Sequence, residues 1–243
     1  MNNTIMSLFK KSVRALRNGV FLKKTYHYLF RRQKKLDGDW YYGESAEQYE
    51  TIRLQQYWWH EENRILEDFL SVLPDGCRVL DAPVGTARFL PLYKKKRIRM
   101  AGVDVSNDML EQAKRLRGEL MEGSTLEIAD VRKLPYSDNE FDAVVCFRLL
   151  ESHLALKDVR KAIKEFCRVS KEYLILELGA IPQDKDDSEL LLERLKEDEP
   201  IESRLSASER ERFLKTFGLT ILKSDLARQQ DGTPHMAVYL CKK

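Results

Sequence analysis

The chain has 243 residues, 43% of them hydrophobic, and a formal net charge of +3. That is enough chain for a full α/β core and an ordinary composition for a soluble protein. No stretch approaches the roughly 20 apolar residues of a membrane span, and the basic amino terminus lacks the apolar run and small-residue cleavage site of a secretory signal.

The charge is uneven. Residues 1 to 36 carry ten basic side chains and no acid, which leaves −7 for the rest of the chain. Ile5, Phe9, Val13, Leu16 and Val20 recur at spacings of four and three, predicting one apolar helical stripe, with Lys10, Lys11, Arg14 and Arg17 on its flank and back. A basic amphipathic helix of this kind suits an anionic membrane surface. Two other readings stay open: a packing helix with a solvated basic face, and an arm that grips nucleic acid phosphates. The apolar stripe favours lipid over RNA.

Asp37-Gly38-Asp39 breaks the arm from residues 44 to 72, which read as helices and make residues 37 to 75 a helical lid. Residues 76 to 243 then alternate strands and helices. A strand is expected over Cys77 to Ala82, a helix over 86 to 97, a strand over 99 to 105 and a helix over 107 to 120. Further strands fall near 125 to 129, 141 to 147 and 172 to 178, with a helix at 157 to 169. Ser206-Ala207-Ser208-Glu209 reads as a capping box opening a helix that ends at Gly218, and 219 to 227 with 235 to 241 as a closing hairpin. The acidic stretch from Asp184 to Glu202 interrupts the pattern as a small helical cap. Alternation of this kind implies an α/β fold, a doubly wound, mostly parallel sheet with helices on both faces and a carboxyl-terminal antiparallel hairpin.

Chemistry gathers at the strand ends. Val79-Leu80-Asp81-Ala82-Pro83-Val84-Gly85-Thr86 is a strand running into a sharp turn. Asp104 ends the second strand 23 residues after Asp81, and Asp130 follows the third. In an open parallel sheet, ligands sit outside these carboxyl ends, where strand order reverses. Asp104 there can accept from both hydroxyls of a ribose, and Asp130 from the exocyclic amine of an adenine. Gly85 lets the backbone approach without a side chain. An adenosine-containing ligand follows, although each aspartate alone could simply cap a helix. A nicotinamide dehydrogenase would want Gly-x-Gly-x-x-Gly, and this turn has Pro83 and Ala87 around Gly85.

Taken in order, Asp-x-Pro-x-Gly-Thr-x-Arg, Gly-Val-Asp-x-Ser-x-x-Met-Leu, Ala-Asp-Val-x-x-Leu-Pro and Phe-Asp-x-Val resemble the class I S-adenosylmethionine-dependent methyltransferases, over roughly residues 44 to 243. The resemblance implies a Rossmann-like methyltransferase domain with S-adenosylmethionine as cofactor. It puts Asp81, Pro83, Gly85, Thr86, Ala87 and Arg88 around the methionine part and Asp104 on the ribose. Val105 and Met109 would flank the adenine, with Asp130 and Val131 reading its edge and Phe147 at the end of the fourth strand. Tyr49 and Arg53 match positions that cover the cofactor in related enzymes. Pro83 and Ala87 stand where the family often has glycines, and the Ala87 methyl is expected near the cofactor if the turn is unchanged.

His153, with Glu151, follows the fourth strand, where the family keeps substrate-facing groups, so His153 is the candidate base; His60 and Glu61 are weaker ones. The segment Cys146-Phe147-Arg148-Leu149-Leu150 lacks the Pro-Pro turn of base-methylating enzymes, and no proline precedes Cys146 as a cytosine-C5 enzyme requires. Cys77, Cys146, Cys167 and Cys241 form no Cys-x-x-Cys pair and share no ligand spacing with His27, His60, His153 or His235. Reduced cysteines, no metal and a cytoplasmic location are expected. The function that follows is methyl transfer to a small-molecule, sugar or lipid-linked acceptor, with the protein peripheral on the inner membrane face through residues 1 to 36. A non-catalytic cofactor- or partner-binding module and an RNA methyltransferase are the alternatives, nucleic acid being the less favoured partner.

Overall fold

Strands apolar on both faces need cover on both sides, and that requirement shapes this protein. The computed structural model describes residues 41–150, 153–179, 207–230 and 233–243. β1 (Arg78–Asp81), β2 (Arg99–Asp104), β3 (Thr125–Ile128), β4 (Phe141–Cys146) and β5 (Ser170–Gly179) run parallel. β6 (Thr220–Gln230) and β7 (Thr233–Lys242) form the antiparallel hairpin, with β7 paired to β5. The sheet order is β3-β2-β1-β4-β5-β7-β6. β6 therefore ends at the same edge as the parallel strands. Strand order reverses between β1 and β4, so a crevice opens at their carboxyl ends.

Successive residues of a strand point to opposite faces, and the core divides accordingly. Leu80, Val103, Val144, Cys146, Leu174, Leu176 and Tyr239 pack on one side with Leu156, Val159, Ile163 and Phe166 of α5 (Leu156–Val169) and with Phe213 and Leu214 of α6 (Ala207–Lys215). Val79, Met100, Ala143, Val145, Ile175 and Val238 pack on the other. Here they meet α2 (Tyr57–Phe69) through Ile65, Leu66 and Phe69, α3 (Leu90–Lys95) through Leu90 and Tyr93, and α4 (Asn107–Arg117) through Leu110 and Ala113. The spacing of buried Leu156, Val159, Ala162, Ile163, Phe166 and Val169 is the one-sided stripe that drives α5 onto the sheet. α1 (Gly43–Arg53) precedes α2.

The strands fall within two or three residues of the positions expected from sequence. The helix expected over 86 to 97 does not form at that length. Ala87 takes φ +53°, a left-handed conformation that cannot continue an α-helix, and the chain makes successive turns until Leu90. Pro91 suits the first helical turn, and Arg97 at φ +56° stops the helix. Ser106 caps α4, accepting from the Met109 N–H at 3.2 Å. Cys77, Cys146 and Cys241 are buried, Cys167 is half-buried, and all four are free. The basic arm, the acidic stretch from Asp184 to Glu202 and Ser206 of the capping box lie outside the described residues.

Candidate functional site

The turn from β1 and the end of β2 meet at the crevice. Asp104, last residue of β2, is 8% exposed and accepts from the backbone N–H of Gly85 at 3.1 Å and of Ser106 at 2.9 Å. Burial raises its pKa and those backbone donors pull against the rise. Each carboxylate oxygen keeps lone-pair capacity beyond its one backbone bond. Gly85 takes φ +53°, and a Cβ added there would stand 3.5 Å from Met109 Cε. The glycine therefore serves the turn's conformation more than it relieves crowding. Val105, next to Asp104, is 59% exposed, and Ile128, register partner of Asp104 on β3, is 58% exposed. Two large apolar side chains left open beside a buried carboxylate form a surface for a flat apolar ligand part. Ile128 carries no signal in sequence, because it ends an edge strand whose side chains are mostly exposed.

Asp81, last residue of β1, is deeper. The Tyr93 hydroxyl donates to its Oδ2 at 3.1 Å, and burial pushes its carboxyl up to about 7. Thr86 is buried in the turn with its hydroxyl unbonded. Pro83 is half-buried. Ala87 is fully buried at φ +53° and belongs to the apolar core that includes Val84 and Phe89. Phe147 is also core, edge-on to Phe89 with ring centres 4.8 Å apart, and Val131 is 6% exposed. Asp130 lies beyond β3 and is held by its own loop, accepting from Arg132 N at 2.9 Å and Arg132 Nε at 2.9 Å. That pairing holds its pKa below the ordinary value.

Tyr41 lies across the opening. Its carbonyl accepts from Ser106 Oγ at 2.5 Å, and its hydroxyl is 2.9 Å from His153 Nε2. The Gly43 N–H donates to Asp108 Oδ2 at 2.7 Å, so the start of α1 is tied to the start of α4. Tyr41 and Tyr49 have ring centres 5.8 Å apart. Arg53 lies over the rings of Tyr49 and Trp58, at 5.4 and 5.3 Å from their centres. His153 and Tyr41 thus meet, while Glu151 lies outside the described residues. Of the weaker candidates, His60 bonds to the Leu54 carbonyl at 3.0 Å and Glu61 pairs with Arg64 at 2.9 Å.

Behind these residues stands a group of which sequence reasoning assigned only Arg88 to the site, as a residue around the methionine part of the cofactor; the structure pairs Arg88 with Glu62. Glu62 of α2 is fully buried and accepts from Arg88, which follows the β1 turn, and from Arg148 just past β4. Arg148 takes φ +59°. The pair Trp58-Trp59 with Glu62 on one helix was visible in the sequence; which arginines they would meet was not. Among the described residues, no cluster of three or more metal-ligating side chains occurs, and no helix is long and apolar enough to cross a membrane.

Residues 79–173 match a family model described as a methyltransferase domain. Over 99 residues the chain is 32% identical to a phosphatidylethanolamine N-methyltransferase of Cereibacter sphaeroides, covering 40% of this chain and 47% of that protein. Over 101 residues it is 35% identical to a ubiquinone/menaquinone biosynthesis C-methyltransferase of Desulfotalea psychrophila, covering 40% of this chain and 39% of the relative. The chain thus spans less than half the length of either relative. A magnesium protoporphyrin IX methyltransferase from Synechocystis, solved with bound S-adenosylhomocysteine, superposes with a TM-score of 0.63 at 14% identity, covering 86% of this chain and 99% of that one.

Proposed function

We propose, from the match of residues 79–173 to a methyltransferase-domain model, that this chain is a class I S-adenosylmethionine-dependent methyltransferase and transfers a methyl group from S-adenosylmethionine to a small-molecule, sugar or lipid-linked acceptor. The observation that carries the reading is the Asp104 carboxylate at the end of β2, bonded only to backbone N–H groups and flanked by exposed Val105 and Ile128. The residues present fit the cofactor. Asp104 retains capacity for two ribose hydroxyls, and Val105 and Ile128 offer apolar surface to adenine. Asp130 reaches the adenine edge only by giving up Arg132 contacts, since Arg132 N, Nε and Nη2 together make four bonds to its two oxygens. The unbonded Thr86 hydroxyl, next to the bare backbone of Gly85, is left for the methionine end.

When bound, the cofactor supplies an electrophilic methyl on a sulfonium sulfur. The protein's part is to hold the acceptor in line with that methyl and to exclude water. Tyr41, Tyr49 and Arg53 cover the crevice from α1 and the segment before it. His153, at the acceptor side beyond β4, takes the proton from an oxygen or nitrogen acceptor, with Tyr41 holding the ring by a hydrogen bond. The basic arm of residues 1 to 36 supports a place at the cytoplasmic membrane face, where a lipid-linked acceptor would be at hand.

Incubating the full chain with methyl-labelled S-adenosylmethionine and a cell extract tests the activity. Label should appear in a small or lipid-extractable product at the rate S-adenosylhomocysteine forms. Binding of cofactor without any label transfer across extracts would instead make the protein a cofactor-binding module.

A further inference from the structure

The carboxyl edge of the sheet carries a second set of charged groups, on the side away from β2 and β3. Glu62 Oε2 accepts from Arg88 and from Arg148, whose Nε and Nη2 lie at 2.8 and 2.5 Å. Arg228, near the end of β6, stands 3.6 Å from Glu62 Oε1. One carboxylate therefore gathers three guanidiniums, with side chains only 9%, 12% and 25% exposed. Their flat faces rest on tryptophans: Arg148 and Arg228 each lie 4.0 Å from the Trp58 ring centre, and Arg88 lies 4.5 Å from that of Trp59.

The charges do not balance. Glu62 is held ionised by Arg88 and Arg148 against the effect of its burial. Glu177 near the end of β5 is a further acid at this cluster, and its Oε2 accepts from the Arg148 backbone N–H at 2.7 Å. Burial, with the Glu62 charge, pushes the Glu177 carboxyl up to about 8, so at neutral pH it adds little negative charge. Even with both acids ionised, three guanidiniums thus face two carboxylates, Arg228 being a quarter exposed. Two donors inside the cluster, Arg88 Nη1 and Arg228 Nε, are buried without any acceptor, and two carboxylate oxygens, Glu62 Oε1 and Glu177 Oε1, are buried without a donor. Surplus buried positive charge and unmade donor bonds are both costly, and one oxyanion relieves both. A guanidinium fork matches the geometry of carboxylate and phosphate oxygens.

We propose that Arg88, Arg148 and Arg228, gathered by Glu62 against Trp58 and Trp59, form an oxyanion subsite for a carboxylate or phosphate group on the methyl acceptor. The assignment to the acceptor rests on the methyltransferase reading, since the ribose and adenine groups occupy the β1 to β3 side. Arg148 just past β4 and Arg228 near the end of β6 stand across the switch point from β2, and Arg88 follows the β1 turn. The subsite narrows the acceptors to molecules bearing an acid beside the methylated atom.

The test uses the full chain, two of whose three tryptophans lie in the cluster. With S-adenosylhomocysteine saturating, phenyl phosphate and benzoate are titrated in separate arms at ionic strength fixed by chloride, and tryptophan fluorescence is followed. At least one arm should saturate, and the stronger arm tells phosphate from carboxylate. In Arg228→Gln that binding should be about tenfold weaker, the loss of one charge-assisted bond, with the affinity for S-adenosylhomocysteine unchanged. No saturable response in either arm overturns the subsite, as does a response that chloride alone reproduces. Displacement of S-adenosylhomocysteine by the anion also overturns it, because the arginines would then be serving the cofactor's own carboxylate. If Arg228→Gln fails to fold, Arg228→Lys decides: weaker phenyl phosphate binding supports the subsite, and equal binding overturns it. Failure of the methyltransferase reading shows separately, as absence of S-adenosylhomocysteine binding to the wild type, while titration without that ligand still reports on the arginines.

Discussion

Gly85 donates its backbone N–H to Asp104 Oδ2 across 3.1 Å, joining the turn after β1 to the end of β2. This bond fixes the carboxylate that the proposed ribose site depends on, and it draws on a turn that only a left-handed residue can make. Gly85→Ala places a side chain at φ +53° with its Cβ in ordinary van der Waals contact with Met109 Cε at 3.5 Å. The cost is backbone strain of about 1–2 kcal/mol. Urea denaturation should show that loss, and S-adenosylhomocysteine binding should weaken as the turn relaxes away from Asp104. Unchanged stability would mean the turn adapts to alanine without cost.

Ala87→Gly isolates the same conformation without touching the ribose site. Relief of φ +53° gains about 1–2 kcal/mol. Against it stand the lost core methyl, about 0.8 kcal/mol, and the freer unfolded chain, about 0.4–1 kcal/mol. The net change in stability should lie within about 1 kcal/mol of zero, with S-adenosylhomocysteine affinity unchanged, because Ala87 is buried in the apolar core. Altered affinity at retained stability would put Ala87 at the cofactor after all.

The same position shows where sequence reading stops. Strands such as Val79–Asp81 and Phe141–Cys146 were legible because burial on both faces demands unbroken apolar runs. Asp104 was legible because a strand end and its spacing are local properties. Ala87 was not, since its left-handed turn replaces the first turn of a helix that local periodicity predicts. Ion pairs such as Glu62 with Arg228 were beyond reach for a different reason. Their partners are brought together only when β6 joins the sheet beside β7, and no spacing along the chain records that.

Glu177 gives a pH signature. Its carboxyl lies at about 8 in the folded protein against an ordinary 4.5. The folded state therefore keeps a proton that the unfolded chain releases above pH 4.5. The stability it contributes is fully present below that value and is lost as pH rises through about 8. Denaturation midpoints at about pH 5.5 and about pH 8.5 should differ more in the wild type than in Glu177→Gln, which keeps no titrating group there. Asp81 contributes equally in both proteins, so equal differences would remove Glu177 from the account.

His153 and Tyr41 predict a graded loss of turnover. His153→Gln should lower the rate of label transfer by about 10²–10⁴-fold, the usual contribution of a general base, with cofactor binding kept. Tyr41→Phe, which loses only the bond to the imidazole, should lose less and shift the pH profile. A rate for His153→Gln equal to the wild type would mean that the acceptor needs no base from this histidine.

The arm is tested by vesicles. Deleting residues 1 to 36 should abolish binding to anionic vesicles and leave S-adenosylhomocysteine binding intact, because the crevice groups all lie downstream. Phe9→Asp puts a charge in the apolar stripe without touching the basic residues and should weaken vesicle binding, with salt reducing what remains. Wild-type cosedimentation by that variant would rule out the stripe as an anchor, and failure of the truncated chain to fold would make the arm a packing helix.

The most direct measurement is calorimetry of S-adenosylhomocysteine with the wild type and with Asp104→Ala. The account predicts saturable binding at one site, weakened by about 1.5–3 kcal/mol in the variant, as expected for bonds to a charged acceptor. Absence of binding to the folded wild type, or equal affinity in the folded variant, would contradict the assignment of this crevice to the cofactor.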